Sequence, residues 1–285
     1  MVRLGTRLPS FFSRHSRDTI IQIAIGGTIL TVLIAFALLG QYLVNPYRIV
    51  TAPFQPPSSK NLLGTDVLGR DILSRLIVGT RQSLYVAAIS VVISTAFGAT
   101  LGIFMGYIGG ALDRVANMVM DAWYAFPDIV LALTVTVLLG QGAINSAIAI
   151  AIALVPYFFR VLRSDAFTAK SLTYIEAERV LGANTAWIVF RHLIPATLPS
   201  LIVLMTIALA RAVLTLGGLG FLGLGIPPPT PEWGTDMGLA TSGIINGIWW
   251  PTTFAGLFIF IAVLGFNQLG NGLNSVLIGR RLSEK

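Results

Sequence analysis

The feature that most constrains this chain is a succession of apolar stretches, each about as long as a membrane helix, separated by polar segments. The first runs from about Thr19 to Val44, and others follow at about 82–108, 115–139, 144–163, 197–224 and 252–276. At a rise of 1.5 Å per helical residue, such stretches reach across the hydrocarbon of a bilayer. The expectation is an all-α integral membrane protein with six transmembrane helices. Composition agrees, since 55% of the residues are hydrophobic, 11% are charged and the mean hydropathy is +0.80, far too apolar for a soluble domain of 285 residues. A secretory signal is the competing reading of the first stretch. Signal cores are shorter and no small-x-small cleavage site follows, so it reads as an uncleaved span.

The net charge of +7 raises the question of nucleic acid. That function needs a clustered basic face with stacking aromatics, whereas these basic residues are spread around the apolar stretches, so no nucleic-acid partner is expected and membrane lipid is. The absence of cysteine excludes disulfides, thiolate metal sites and cysteine nucleophiles. A phosphate-binding P-loop needs glycine immediately before its lysine, but Lys60, Lys170 and Lys285 follow Ser59, Ala169 and Glu284. The chain therefore carries no such site of its own. His15 and His192 are far apart, and no histidine or acid cluster of metal-binding spacing occurs.

Orientation follows from the positive charges. With the amino terminus in the cytoplasm, thirteen Lys or Arg residues lie inside, among them Arg3, Arg7, Arg14, Arg17, Arg114, Arg160, Arg163, Arg280, Arg281 and Lys285. Only Arg48, Lys60, Arg70, Arg75 and Arg81 lie outside. The excess puts both termini and a loop at about 164–196 in the cytoplasm. The chain divides into a first part, 1–81, and a core, 82–285.

That loop is the most polar segment of the core. Glu176, Ala177, Glu178, Arg179 and Leu181 favour a short helix, and Gly182 supplies the backbone freedom that ends it at a turn. A second short helix runs toward Pro195. Such a charged helix-turn-helix cannot lie in hydrocarbon, so it protrudes into water and presents a surface to a partner.

Outside, residues 45–81 read as a polar linker in which Pro46, Pro53, Pro56 and Pro57 prevent continuous helix. From Asp66 to about Thr80, Leu68, Ile72, Leu73, Leu76 and Ile77 fall on one helical face and Asp71 can pair with Arg75, which predicts an amphipathic helix lying at the interface. Gly98, Gly102 and Gly106, spaced four apart, predict the close approach of a neighbouring helix.

Three charges well inside the apolar stretches stand out, Arg211, Asp121 and Asp128. Arg211 sits near the middle of its span, where a cation needs an anion or water. Two readings stand: a translocation-path arginine that attracts a substrate carboxylate, or an ion pair with an acid on a neighbouring helix or subunit. Asp121 and Asp128, seven residues apart, lie on nearly one face of the third stretch, as a polar structural face or as part of a proton relay. With Arg211 they form the charge relay of an alternative function, an ion-coupled carrier working alone.

Glu176 and Ala177 with Gly182 and Pro195 resemble the cytoplasmic coupling loop of bacterial ABC importer permeases, with Glu178 where that pattern has a second alanine. Arg191-His192-Leu193-Ile194-Pro195 is similar to the version found in the peptide/nickel branch. So are two further stretches, Leu63-Gly64-Thr65-Asp66-Val67-Leu68-Gly69-Arg70-Asp71 and Gly220-Phe221-Leu222-Gly223-Leu224-Gly225 followed by Pro228, Pro229, Glu232, Trp233 and Gly234. The chain is identified as resembling the C-type permease subunit of dipeptide and oligopeptide importers.

The resemblance implies a core of five helices, the last five spans, in the bacterial inner membrane. It implies a homologous permease partner forming a heterodimer, two cytoplasmic ATPase subunits that hold the ATP and magnesium, an extracytoplasmic substrate-binding protein, and no catalysis by this chain. Tyr174, Glu176, Ala177, Glu178, Gly182, Ala183, His192 and Pro195 would form the coupling loop. Gly64, Thr65, Asp66, Gly69, Arg70 and Asp71 would form an extracytoplasmic motif, and Pro229, Glu232 and Trp233 the outer loop. The implied cargo is short peptides, with nickel chelates, glutathione-like peptides or oligosaccharides as alternatives. Leu216 stands where many members of the resembled family carry an acid, and Asn267, Gln268, Asn271 and Asn274 form a polar face at two of whose positions they often carry charges.

Overall fold

The computed structural model describes residues 10–277, and the terminal basic residues Arg3, Arg7, Arg280, Arg281 and Lys285 lie outside them. The described residues form helices α1 (Ser10–Leu43), α2 (Ile72–Ile108), α3 (Gly110–Tyr124), α4 (Asp128–Leu139), α5 (Ala143–Ala169), α6 (Thr173–Val180), α7 (Thr185–Ile188), α8 (Ile194–Phe221), α9 (Trp233–Leu239), α10 (Thr241–Ile244) and α11 (Trp250–Leu277), with a π-helical turn at Val189–Leu193. Five are long and apolar enough to cross a membrane when α7, the π turn and α8 are taken as one run. The pair α3 and α4, bent by 87° at the break between them, reaches that length only when taken together, which gives up to six spans among the described residues.

The break corrects the expectation of one continuous helix over 115–139. Pro127 holds an extended conformation and has no N–H to give, so α3 ends at Tyr124 and α4 starts afresh at Asp128, with Val130 and Leu131 donating to the Pro127 carbonyl. Asp121 and Asp128 therefore lie on different helices and share no face. A second correction concerns residues 66–80. Asp71 caps α2 by accepting from the Ser74 N–H at 2.8 Å, and α2 runs unbroken from Ile72 into the second span. There is no separate interfacial helix, and Leu76 is fully buried. The polar linker accordingly ends at Asp71, and Arg75 pairs elsewhere.

Helices in lipid lack a hydrophobic drive to associate, so close packing of small residues holds them together. Along α2, a Cβ built at Gly98 would lie 2.5 Å from the Val155 carbonyl oxygen, and one at Gly102 2.5 Å from that of Phe159. At Gly106 it would meet the Arg163 carbonyl. The glycine spacing seats α5 directly on α2. Two buried hydroxyls on the same helix are satisfied internally, Ser90 donating to Val86 O and Ser94 to Ser90 O. The other helices close around this pair, and α1 packs on α11 and α2.

Gly102→Ala is expected to destabilise the purified chain in detergent by about 1–3 kcal/mol, because backbone must move to admit the methyl group. Gly27→Ala, where a Cβ meets nothing within 4 Å, is the matched control and is expected to leave thermal unfolding unchanged.

Candidate functional site

Three clusters of expected site residues occupy three levels of the molecule. At one end, α6 forms where helix formers predict it and stops at Gly182, whose φ of +88° is the left-handed region that glycine tolerates best. Ile175 is fully buried and anchors α6 in the core, while Glu176 and Ala177 face out. Glu178 turns back toward the π turn: its Oε1 lies 3.5 Å from His192 Nε2, and the Tyr174 and His192 rings are 5.7 Å apart. The imidazole makes no hydrogen bond to that carboxylate, so the contact is an ion pair only when His192 is protonated. Asn184 caps α7 through Trp187 N–H, and Ala183 is half-buried beneath the turn. Pro195 lies just after the π turn, which widens the backbone ladder where its missing N–H would otherwise leave a gap. Val180 and Leu181 are 88% and 84% exposed, with Trp187 and Phe190 also in solvent.

At the other end, residues 64–71 fold into a compact knot. Thr65 is fully buried, accepting from Gln55 N–H and donating to the Ala52 carbonyl. Gly69, at φ +76°, leaves room for the Thr51 carbonyl, and Gly64, at φ +79°, for that of Gln55. Asp66 accepts from the Leu68 and Arg70 N–H groups and from Arg70 Nε at 2.7 Å. Arg75, 2% exposed in its side chain, is the centre of this level. Its Nε donates to Asp236 Oδ2 at 3.0 Å, Asp66 Oδ2 lies 3.6 Å away, and Nη1 reaches the carbonyls of Pro46 and Pro229. One guanidinium thus joins the end of α1, the knot, the proline-rich exit of α8, and α9.

Glu232 caps α9, its carboxylate accepting from Gly234 N–H at 2.9 Å and Thr235 N–H at 2.8 Å. Trp233 is buried and donates Nε1–H to the Leu76 carbonyl. Burial pushes the Glu232 carboxyl above the usual range, against the pull of the two N–H groups. Asp236 is raised for the same reason, opposed by Arg75. The glycines of α8 serve this packing: a Cβ at Gly220 would lie 2.5 Å from Glu232 Oε2, and one at Gly234 would meet Gly217.

Between the ends, α5 carries a descending series of contacts. Arg211 on α8 lies 3.9 Å from Asp128 Oδ2 and 4.4 Å from the Tyr157 ring centre. About a turn further along α5, Arg160 pairs with Asp121 at 2.8 Å and lies over the Tyr124 ring. Arg163 then pairs with Asp113 through two bonds, Nη2 to Oδ2 at 2.7 Å. The structure brings Arg211 to Asp128 and separates both from Asp121.

Charge pairs thus follow one another along the helical bundle, two of them a third to a half exposed, and apolar side chains project from a polar segment at one end. Residues 98–281 match the family described as the binding-protein-dependent transport system inner membrane component. The chain belongs to this family of importer permeases. The relatives of this permease include a glutathione transport system permease protein, GsiD, of Pectobacterium atrosepticum, 39% identical and covering 94% of this chain and 89% of its own. A di/tripeptide transport system permease protein, DppC, of Pseudomonas aeruginosa is 39% identical over 89% of this chain and 87% of its own. The fold is also similar to a chain of the MetNI methionine ABC transporter solved in inward-facing conformations, with a TM-score of 0.59 at 18% identity, covering 72% of this chain and 97% of that one.

Sequence reasoning missed Asp236, Tyr157, Asp113 and the pairing roles of Arg160 and Arg163 in this permease. The only signal was spacing: Tyr157, Arg160 and Arg163 recur every three residues along one side of α5. Nothing local links Arg75 to Asp236, 161 positions away.

Asp236→Asn is expected to lower the stability of the permease by roughly 3 kcal/mol, read as a fall in its thermal midpoint, because Arg75 loses its nearest anion. The raised Glu232 carboxyl sets a pH dependence. Its contribution to stability is complete below the ordinary glutamate pKa of about 4.3 and is lost as pH rises through the higher folded-state value. Glu232→Gln is expected to flatten that decline in a series of thermal midpoints between about pH 4 and 8.

Proposed function

We propose that this permease is one half of the membrane pathway of an ATP-driven importer of short peptides, with α6 and the turn at Gly182 as the surface that docks the ATPases. The observation that carries the reading is the exposure of Val180 and Leu181 on the most polar segment of the core. Apolar side chains held in water at a helix end, beside Trp187 and Phe190, mark a protein contact. Glu176 supplies charge to that contact, Ala177 allows close approach, and Gly182 and Pro195 fix the loop's shape. Tyr174, Glu178, Ala183 and His192 brace it against the π turn.

The mechanism is alternating access. Closure of the ATPases on ATP and magnesium moves α6, and two contacts carry the motion to α2: Arg179 lies 5.6 Å from the Tyr107 ring centre, and Lys170 Nζ lies 3.4 Å from the Tyr107 carbonyl. A second, homologous permease completes the pathway, two ATPases sit in the cytoplasm, and a binding protein delivers cargo outside at the level of the 64–71 knot, Pro229, Glu232 and Trp233. Both termini are cytoplasmic, and the core extends from Ile72, where α2 begins, with α1 as an added span. Short peptides are the cargo named for the DppC relative, and glutathione, itself a tripeptide, falls in the same class. Arg211, Asp128 and Asp121 line the pathway.

The test is purification of the tagged permease from its native membrane in mild detergent, with identification of what accompanies it. A homologous permease and P-loop ATPases are expected, and peptide import by the reconstituted assembly is expected to require ATP. Glu176→Ala and Gly182→Val are each expected to lower import at least about tenfold, the valine because φ near +88° strains any side chain at that site. Recovery of this chain alone, active without ATP, would replace the reading with a carrier whose relay is Asp121, Asp128 and Arg211.

A further inference from the structure

Arg211 and Asp128 form the loosest of the three ion pairs that α5 borders. Their closest atoms are 3.9 Å apart, against 2.8 Å for Arg160 with Asp121, and their side chains are 39% and 37% exposed. Both groups are deep in the bundle: Arg211 lies ten residues before the end of α8, and Asp128 opens a helix of twelve residues. At about 1.5 Å per residue each is roughly 15–18 Å from the outer end of its helix. A half-exposed charge at that depth faces water or another polar surface, because lipid would exclude it. Tyr157 gives the guanidinium an aromatic face without neutralising it. Asp128 also stands on the far side of the Pro127 break, so α4 can shift against α8 without disturbing the tighter pairs on α3.

From this geometry we infer that Arg211 and Asp128 are a two-ended exchange site for zwitterions, Arg211 taking a free carboxylate and Asp128 a free ammonium as cargo passes. The inference rests on the reading of the chain as a peptide permease and names the chemistry of its cargo: short peptides with both termini free. An exchange of partners conserves charge. A cargo with one charge would leave Arg211 or Asp128 unpaired at this depth, whereas a zwitterion satisfies both at once. A dipeptide spans roughly 7 Å when extended, so the pair must part to admit one, and the loose pair at the helix break is the one placed to do so. Because the resting pair already satisfies both charges, the cargo gains little by staying. A site of this kind lets it enter and leave, which transport requires.

The test uses the full assembly, permease pair, ATPases and binding protein, in proteoliposomes, with labelled Ala-Ala as the probe. Arg211→Gln, Asp128→Asn and the double variant are compared for assembly and for import. Each single change is expected to lower Ala-Ala import about tenfold, and Arg211→Lys to restore most of it. The double variant strands no charge, so its assembly and thermal stability are expected to return to normal while import stays low. For Ala-Ala amide, which offers no carboxylate, the ratio of Arg211→Gln to unaltered import is expected to stay near one. Recovery of Ala-Ala import in the double variant, or an equal fall for the amide, would reduce the pair to a structural contact and overturn the inference while leaving peptide import standing. An unaltered assembly that hydrolyses ATP yet imports no peptide would overturn both.

Discussion

The contact between the backbones of α2 and α5 is the constraint on which the rest of the permease depends. In lipid, an apolar side chain gains little by leaving one apolar surface for another, so association rests on how closely two helices can approach. Gly98, Gly102 and Gly106 remove the side chains that would hold α5 away, and a single added methyl would strike carbonyl oxygen at each. With one side of α5 committed to α2, its other side carries Tyr157 and Arg160 toward α3, α4 and α8. Packing thus decides where the charges stand.

Those charges are arranged by level, and each level has a different stiffness. At one end Arg75 is buried and held by carboxylates and carbonyls from four separate segments, which ties that layer into a single unit. At the opposite end the segment of α6, α7 and the π turn is anchored by Ile175, Ile188, Val189 and Leu193, all fully buried, and touches Tyr107 through Arg179 and Lys170. Between them α3 and α4 meet at an 87° bend beside Pro127. The alternating access proposed for this permease would use a rigid layer, a lever and a joint, and the three candidates are built from different physics: buried ion pairs, an anchored short helix, and a proline that interrupts a backbone ladder.

Much of the fold was legible in the sequence because lipid imposes a simple code. Apolar length located the spans, and the Gly182 turn ended α6 where its backbone freedom suggested. What the code could not reveal were events that depend on a partner distant in the chain. The Asp71 cap starts α2 some ten residues before the apolar run, and the run of apolar positions from Leu68 to Ile77 looks amphipathic only because Arg75 and Asp71 are polar by type. That Arg75 is buried follows from Asp236, Pro46 and Pro229 converging on it, which no local pattern encodes. Pro127 was visible as a gap in the ladder, but the 87° angle it permits is set by how α4 packs on α5 and α8.

The central claim is that the segment ending at Gly182 lies in the cytoplasm against an ATPase. The chain has no cysteine, so one introduced as Val180→Cys is its only thiol. In intact cells carrying the full importer, that thiol should be closed to a membrane-impermeant maleimide added outside, and a short bifunctional cross-linker added to inside-out vesicles should join it to a P-loop ATPase. Labelling from outside, or the absence of any ATPase adduct in vesicles that still hydrolyse ATP, would contradict the account.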